Sequence, residues 1–224
     1  MIVAFDADDT LWHNENHFEA THRAFEQLLA PWSSATEVDD RLFEVEMRNM
    51  DRYGYGVKAF TLSMTETAID LSDGDVPASV ISEIIRLGHD ILDRDIVLLD
   101  GVVDVLDSLA DHTLMLITKG DLYAQRRSID RSGLADRFWR IEIVAHKDTD
   151  TYRRLLELHG VPVSEFVMVG NSLKSDVLPV LELGGRGVHV PYQVTWAHEH
   201  VEPDAPIPTL DHIAELPALI EAWR

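Results

Sequence analysis

The chain has 224 residues, enough for one large α/β domain or for a core domain with a smaller second one. Hydrophobic residues make up 46% of it, as is ordinary for a globular protein with a buried core. The formal net charge of −21 argues against nucleic acids and anionic membranes as partners, because an acidic surface repels both. Since the chain contains no cysteine, disulfides, thiolate metal ligands and a cysteine nucleophile are excluded.

An apolar run opens the chain and ends on acidic residues. Residues 2–5 (Ile-Val-Ala-Phe) predict a strand buried on both faces, as in a parallel sheet covered by helices. Asp6 and Asp8 follow at the carboxyl end of that strand, where such sheets place their chemistry. Two neighbouring carboxylates there need neutralisation, and a divalent cation with oxygen ligands is the usual means. A metal site at Asp6 and Asp8 is therefore expected.

The Asp-x-Asp spacing also occurs by chance, because the chain holds 40 acidic residues. Three further pairs share it and are expected to be solvated surface acids: Asp73/Asp75, Asp93/Asp95 and Asp148/Asp150. The pair at Asp6 and Asp8 differs from them because it lies directly behind a short apolar run. That position favours a functional role.

Long amphipathic patterns follow the first strand. They predict helices at about 15–30, 36–51, 57–71 and 77–93, and no strand pattern interrupts them. Residues 14–95 are therefore predicted to form an all-helical domain inserted after the first strand. The loop at 52–58, with two tyrosines, two glycines and a lysine, is either a substrate-contacting loop or a plain interhelical turn.

Strands and helices alternate in the rest of the chain. Strands are predicted at 113–117, 140–144, 166–169 and 187–190, and helices at 101–111, 121–133, 148–160, 173–183 and 211–222. Gly160 is expected to end its helix as a C-cap. Such alternation implies a parallel sheet with right-handed crossovers. The predicted fold is α/β, with a Rossmann-like core formed by residues 1–13 and 96–224.

Two of the predicted strands are followed by cationic or hydroxyl side chains. Thr118 either binds an anion at the start of the next helix or merely caps that helix. Lys147, between a strand and a helix, either holds a phosphate as a point charge or is an ordinary surface lysine. Lys119 competes with Lys147 for the phosphate-binding role.

A polar loop follows strand 166–169. Gly170 permits a tight exit from the strand, and Asn171 and Asp176 bracket the loop behind it. Their oxygens either turn towards Asp6 and Asp8 or serve as a helix cap and a surface acid. Because parallel strands end at one edge of a sheet, all of these candidates can converge there. By contrast, the later run His198-Glu199-His200 is expected to lie on the surface.

This constellation resembles the haloacid dehalogenase-like hydrolase superfamily, most of whose members are phosphatases. The motifs that carry the resemblance are Asp6-Ala7-Asp8-Asp9-Thr10, Thr118, Lys147 and Gly170-Asn171-Ser172-Leu173-Lys174-Ser175-Asp176. Their order and spacing fit, and the match covers nearly all of the chain outside the insert. The insert is similar to the helical cap that members often carry after the first motif.

The resemblance implies a role for each matching residue. Asp6 would be the nucleophile and Asp8 the general acid and base, while Thr118 and Lys147 would bind the transferring phosphoryl group. The resemblance further implies a Mg²⁺ cofactor. Asp176 would hold it together with Asp6 and the main-chain carbonyl of Asp8.

Asn171 departs from the commonest pattern, because many relatives have an aspartate at this position. An amide oxygen can still bind the metal or its water, but it removes one negative charge from the site. The departure therefore bears on metal affinity more than on catalysis.

The expected activity is hydrolysis of a small phosphorylated metabolite through an aspartyl-phosphate. A dehalogenase of the same superfamily is a rival, but those members lack the second acid that Asp8 supplies here. A phosphomutase and a non-catalytic binding protein on this fold also stay open. The first residues lack the basic start and apolar core of a signal peptide, so a cytoplasmic enzyme is expected.

Overall fold

The computed structural model describes residues 1–194, 196–199, 201, 203 and 205–223, and within them it contains a five-stranded parallel sheet. The strands are β1 (Ile2–Phe5), β2 (Thr113–Lys119), β3 (Arg140–Val144), β4 (Phe166–Gly170) and β5 (Arg186–His189). Their order across the sheet is β3-β2-β1-β4-β5. The strand order reverses between β1 and β4, and ligands of open parallel sheets bind at such a switch point.

The described residues also form α-helices. They are α1 (Glu15–Leu29), α2 (Ala35–Tyr53), α3 (Val57–Leu71), α4 (Ala78–Asp93), α5 (Val102–Ser108), α6 (Leu122–Ser132), α7 (Thr149–His159), α8 (Leu178–Glu182) and α9 (Leu216–Ala222). The parallel α/β architecture predicted from the sequence is confirmed. In the described part of the chain, each helix is too short or too polar to cross a membrane.

The chain divides into two compact units. One contains residues 1–15, 96–119 and 125–224 and carries the sheet. The other contains residues 16–95 together with 120–124 and is built from helices. The short segment 120–124, which the sequence analysis assigned to the core, thus groups with the helical residues.

The core of the sheet unit lies on both faces of the sheet. Alternate residues of a strand point to opposite faces, so Val3 and Phe5 join one apolar cluster while Ala4 joins the other. The same alternation holds in β4, where Val167 packs with the first cluster and Met168 with the second. A strand buried on both faces explains why β1 reads as a continuous apolar run.

The helical unit has its own apolar core. A capping box between Ser34 and Glu37 begins α2, and fully buried side chains such as Leu42 and Met64 pack between the helices. Asn49 and Ser63 are buried with them, and the Asn49 amide donates to Ser63 Oγ at 3.2 Å. The helices α2 and α3 are therefore joined by a polar contact as well as by apolar packing.

Two helix starts differ from the sequence prediction. The predicted helix at 173–183 opens with a π-helical turn, Leu173–Val177, before α8 begins. The predicted helix at 211–222 opens with a 3₁₀ turn, Ile213–Glu215, which His212 caps before α9 begins. Short turns of these kinds carry no sequence periodicity of their own, so a regular helix was the natural expectation.

Candidate active site

Asp6 follows the last residue of β1 and is almost buried, with 7% of its surface exposed. Its main-chain N–H donates to the carbonyl of Val169 in β4 at 2.9 Å, which continues the strand pairing by one residue. A turn then begins, because the N–H of Leu11 donates to the carbonyl of Ala7 at 2.8 Å. The backbone therefore holds Asp6 at the switch point between β1 and β4.

The turn behind Asp6 depends on an unusual conformation at Asp9, whose φ is 59°. Its carboxyl accepts hydrogen bonds from the main-chain N–H groups of Asn14 (2.8 Å) and Glu15 (3.0 Å), where α1 starts. Burial, followed by the charge of Asp8, raises the pKa of Asp9 to about 8. Asp9 thus ties the acidic turn to the first helix.

Lys147 lies between β3 and α7, and its side chain is 1% exposed. Asp148 caps α7 by accepting from the N–H of Thr151 at 2.7 Å, and this cap fixes the chain where Lys147 leaves the sheet. The Lys147 ammonium donates to Asp6 Oδ1 and, at 2.6 Å, to Asp176 Oδ1. Lys147 therefore joins the acids that follow β1 and β4.

The π-helical turn after β4 places Asp176. The Ser172 hydroxyl caps the turn by accepting from the N–H of Ser175, and the N–H of Asp176 donates to the Ser172 carbonyl at 2.9 Å. The N–H of Ser172 in turn donates to Asp176 Oδ2 at 3.0 Å. A Cβ at Gly170 would overlap the Asp176 side chain, so only glycine leaves room there. Such π turns occur often at functional sites.

The cluster of Asp6, Lys147 and Asp176 has unequal numbers of opposite charges. One ammonium faces two carboxylates in a buried environment. Burial raises the pKa of Asp176 to about 6, although the Lys147 charge opposes this. Burial also lowers the pKa of Lys147, but the charges of Asp176 and Asp6 outweigh it and raise that pKa above its usual value. The cluster therefore has an uncompensated negative charge that suits an added cation.

Asp8 is held by two uncharged N–H donors. The indole Nε1 of Trp12 donates to Asp8 Oδ1 at 2.8 Å, and the amide Nε2 of Gln125 donates to Asp8 Oδ2 at 2.7 Å. Trp12 is fully buried and Gln125 is 9% exposed. The Asp8 carboxylate is therefore fixed through both of its oxygens.

Asn171 lies beside Asp6 and Asp8. With its amide nitrogen turned towards them, it donates to Asp6 Oδ2 at 3.2 Å and to the Asp8 carbonyl at 3.3 Å. Its main-chain N–H donates to Thr10 Oγ1 at 3.0 Å, which fixes the residue in place. If the amide oxygen took the place of the nitrogen, it would face Asp6 Oδ2 and the Asp8 carbonyl, both of which are acceptors, and a cation among these oxygens would remove that repulsion.

Among the described residues, no three Asp, Glu, His or Cys side chains converge as a metal site. The set around Asn171 instead combines carboxylate, amide and main-chain oxygens, which are the ligands that hard cations prefer. The negative charge of the Asp6–Lys147–Asp176 cluster adds to this fit. The chemistry of the site is therefore compatible with Mg²⁺.

The two candidates at the end of β2 differ in their surroundings. Thr118 is 1% exposed and lies beside Ile143 of β3. The ammonium of Lys119 donates to Ser175 Oγ at 2.8 Å and to the carboxylate of Glu199. The structure thus brings Lys147, and not Lys119, into contact with Asp6.

Glu199 lies at the same edge of the sheet, although the sequence predicted it to be a surface residue. Its carboxylate accepts from Lys119 and from the hydroxyls of Ser172 and Ser175. Burial alone would raise the pKa of Glu199, but the Lys119 charge and these hydrogen bonds lower it to about 2. Its neighbour His200 lies outside the described residues.

Gln125 could not be predicted as a site residue, because a glutamine on the first turn of a helix gives no signal of its own. The contact joins residues 117 positions apart, and only the tertiary fold brings them together. Trp12 offered a faint signal, since an indole four residues after Asp8 can reach back across a turn.

Comparisons with known proteins agree with the fold. The family model described as haloacid dehalogenase-like hydrolase matches residues 1–184. A haloacid dehalogenase-like family hydrolase from Xanthomonas campestris is 39% identical, covers 100% of this chain and 91% of its own, and superposes with a TM-score of 0.90. No curated protein matches the sequence.

More distant solved structures share the fold alone. A 2-haloacid dehalogenase from Pseudomonas syringae pv. Tomato is 22% identical over 100% of this chain and 99% of its own, with a TM-score of 0.66. A predicted phosphoglycolate phosphatase from Haemophilus somnus is 16% identical over 98% of this chain and 97% of its own, with a TM-score of 0.63. The two differ in the reactions that their names describe.

Proposed function

The chain belongs to the haloacid dehalogenase-like hydrolases, and on that premise we propose that it is a Mg²⁺-dependent phosphatase of small phosphate monoesters. The observation that carries the proposal is Asp8, a second acid that lies two residues after Asp6 and is held by two hydrogen bonds. A phosphate ester needs a proton donor for its leaving alcohol, whereas a halide leaves without one. A fixed second acid therefore favours phosphate chemistry.

In the first step, an oxygen of the Asp6 carboxylate attacks phosphorus and the bond to the ester oxygen breaks. Asp8 gives its proton to that oxygen, so a neutral alcohol leaves. Lys147, which already contacts Asp6, would offset the charge of the phosphoryl oxygens during the attack. We place Thr118 beside it as a further donor to the phosphoryl group, because it lies one residue before the end of β2, which pairs with β1.

In the second step, water attacks phosphorus of the aspartyl-phosphate and the bond to Asp6 breaks. Asp8, now ionised, takes the proton from that water and returns to its starting state. Inorganic phosphate leaves and the Asp6 carboxylate is restored. Dividing one difficult displacement into two easier ones is the benefit of the covalent intermediate.

We propose that Asp6, the main-chain carbonyl of Asp8, Asn171 and Asp176 would hold the Mg²⁺ ion. Such an ion neutralises charge on the phosphoryl oxygens and orients them. The proposal is supported by the oxygen set around Asn171 and by the excess negative charge next to Lys147. The net charge of −21 repels a polyanion such as nucleic acid. It is more compatible with a small anionic substrate that binds together with a cation.

A panel of substrates tests the proposal. Rates are measured for 4-nitrophenyl phosphate, alkyl phosphates and 2-haloacids, with and without Mg²⁺. We expect phosphate release that requires Mg²⁺ and is abolished by Asp6→Asn. Asp75→Asn, in an exposed Asp-x-Asp pair, is the matched control and should behave as the unaltered chain. Halide release without phosphate release would show a dehalogenase instead, and transfer of phosphate back to the substrate would show a mutase.

A further inference from the structure

Both oxygens of the Asp8 carboxylate are held by neutral N–H groups, one from Trp12 and one from Gln125. We propose that Trp12 and Gln125 are positioning residues that hold the Asp8 carboxylate in the orientation from which it passes a proton. The inference rests on the proposed phosphatase activity and deepens it. It assigns a task to two residues outside the motifs that define the family resemblance.

The Trp12 side of this arrangement is rigid. Its indole is fully buried and packs in the same apolar cluster as Phe5 and Leu11. Its main-chain carbonyl accepts from the N–H of Asp9 at 2.7 Å, which closes the turn that contains Asp8. The indole N–H therefore meets Asp8 Oδ1 from a ring that cannot turn without disturbing the core.

The Gln125 side is fixed by a second hydrogen bond. Its Nε2 carries two protons, of which one goes to Asp8 Oδ2 and the other to the carbonyl of Lys119 at 3.0 Å. That pairing determines which way the amide points. Within the described part of the chain, Gln125 Oε1 is buried and accepts no hydrogen bond, so the amide is held through its nitrogen alone.

The chemistry of the two donors suits proton transfer. Neither an indole nor a primary amide ionises in the working range of an enzyme, so neither competes with Asp8 for the proton that moves. Each carboxylate oxygen has two lone-pair positions, and each donor uses one of them. A position on each oxygen thus stays open for the transferred proton. A lysine or histidine in either place would instead pair with Asp8 as a charged partner.

Leaving-group dependence tests the inference. Gln125→Leu removes the donor with little change in volume. It should lower kcat for alkyl phosphates about tenfold or more, because a general acid as a whole contributes roughly 10²- to 10⁴-fold to the rate. For 4-nitrophenyl phosphate, whose leaving group needs little protonation, we expect a loss below about threefold. Gln27→Leu makes the same substitution on the exposed face of α1 and should change neither rate.

A double-mutant cycle separates positioning from a general loss of structure. In an Asp8→Asn background the proton donor is already gone, so adding Gln125→Leu should cost less than about twofold for either ester. An equal loss for both esters, or a full further loss in the Asp8→Asn background, would overturn the positioning role.

A spectroscopic readout does not depend on turnover. The indole cross-peak of Trp12 in a ¹H–¹⁵N spectrum is identified by its absence in Trp12→Phe. Asp8→Asn and Gln125→Leu should each shift it, and Gln27→Leu should not. A peak that Gln125→Leu leaves in place refutes the arrangement, whatever the chain hydrolyses. If the peak shifts but no phosphate ester is hydrolysed, the phosphatase and the proton-transfer role fail while the hydrogen bonds stand.

Discussion

The ammonium of Lys147 lies 2.6 Å from Asp176 Oδ1, and both side chains are 1% exposed. Lys147 also contacts Asp6, so one buried cation holds two buried acids. Removing one partner of a buried pair leaves an uncompensated charge, which costs far more than an exposed pair contributes. Lys147 therefore supports the fold of the site as well as its proposed chemistry.

Lys147→Met should lower the free energy of unfolding by about 3–5 kcal/mol, because two buried carboxylates lose their cation. Mg²⁺ should recover part of this loss, since a cation bound by the native state alone stabilises it. Urea unfolding with and without Mg²⁺ measures both effects. Lys174→Met, at an exposed lysine of the π-helical turn, is the control. A Lys147→Met chain as stable as the unaltered one would contradict the prediction.

The proposed metal ligands differ in charge, so they should differ in their effect on Mg²⁺ affinity. Asp176→Ala removes a charged ligand and should weaken binding most. Asn171→Ala removes a neutral amide and should weaken it about 10- to 100-fold at most. Asn171→Asp adds a charge and should keep or tighten binding. Calorimetric titration with Mg²⁺ gives each constant without a substrate, and an Asp176→Ala chain that binds like the unaltered one would refute the site.

Gly170→Ala should displace Asp176, because the added Cβ would overlap that side chain. We expect a loss of about 1–3 kcal/mol in unfolding free energy from the crowding, and weaker Mg²⁺ binding with it. Gly74→Ala has open space but a φ of 86°, so it should cost about 1–2 kcal/mol through the backbone without affecting Mg²⁺. Unfolding curves and Mg²⁺ titrations of the two variants separate these causes. Equal Mg²⁺ affinities would count against the role of Gly170.

Glu199 should make stability depend on pH. Its pKa falls from 4.5 to about 2 in the folded chain, so its contribution is present above about pH 4.5 and is lost as the pH falls towards 2. Glu199→Gln should lower the unfolding free energy by up to about 3 kcal/mol at pH 7. The difference from the unaltered chain should shrink below pH 4.5.

Urea unfolding at a series of pH values measures this difference. Glu157→Gln, at an exposed glutamate of α7, is the matched control and should show no such dependence. A constant difference between Glu199→Gln and the unaltered chain from pH 7 to pH 3 would show that the charge of Glu199 contributes nothing.

Much of the fold follows from local signals. The apolar runs that form β1 and β4 predict buried parallel strands, and the strands in the structure are longer than predicted by at most one residue. Gly160 ends α7 in the left-handed conformation expected of a C-cap, with a φ of 64°. These features depend on neighbours in the sequence, which is why the sequence alone could predict them.

The candidate site could be predicted from local sequence signals only in part. That Asp6 and Asp176 lie at one edge follows from parallel strands ending together, although their roles stay predictions. Gln125 and Glu199 reach the same edge from a helix and from a loop that contains a short 3₁₀ turn, through contacts over 117 and 80 residues. No periodicity marks such contacts, because the loop and the helix start are placed by the tertiary fold.

The position of β1 in the middle of the sheet affects how the chain is made. Its partners β2 and β4 begin only at Thr113 and Phe166, so the ribosome releases the first strand long before either neighbour exists. At about 5–20 residues per second, roughly ten to thirty seconds separate β1 from β4. Until β2 is made, Ile2–Phe5 is an unpaired apolar segment on a nascent chain, and its edge towards β4 stays unpaired for the whole interval. Protection from aggregation during translation is therefore a demand built into this strand order.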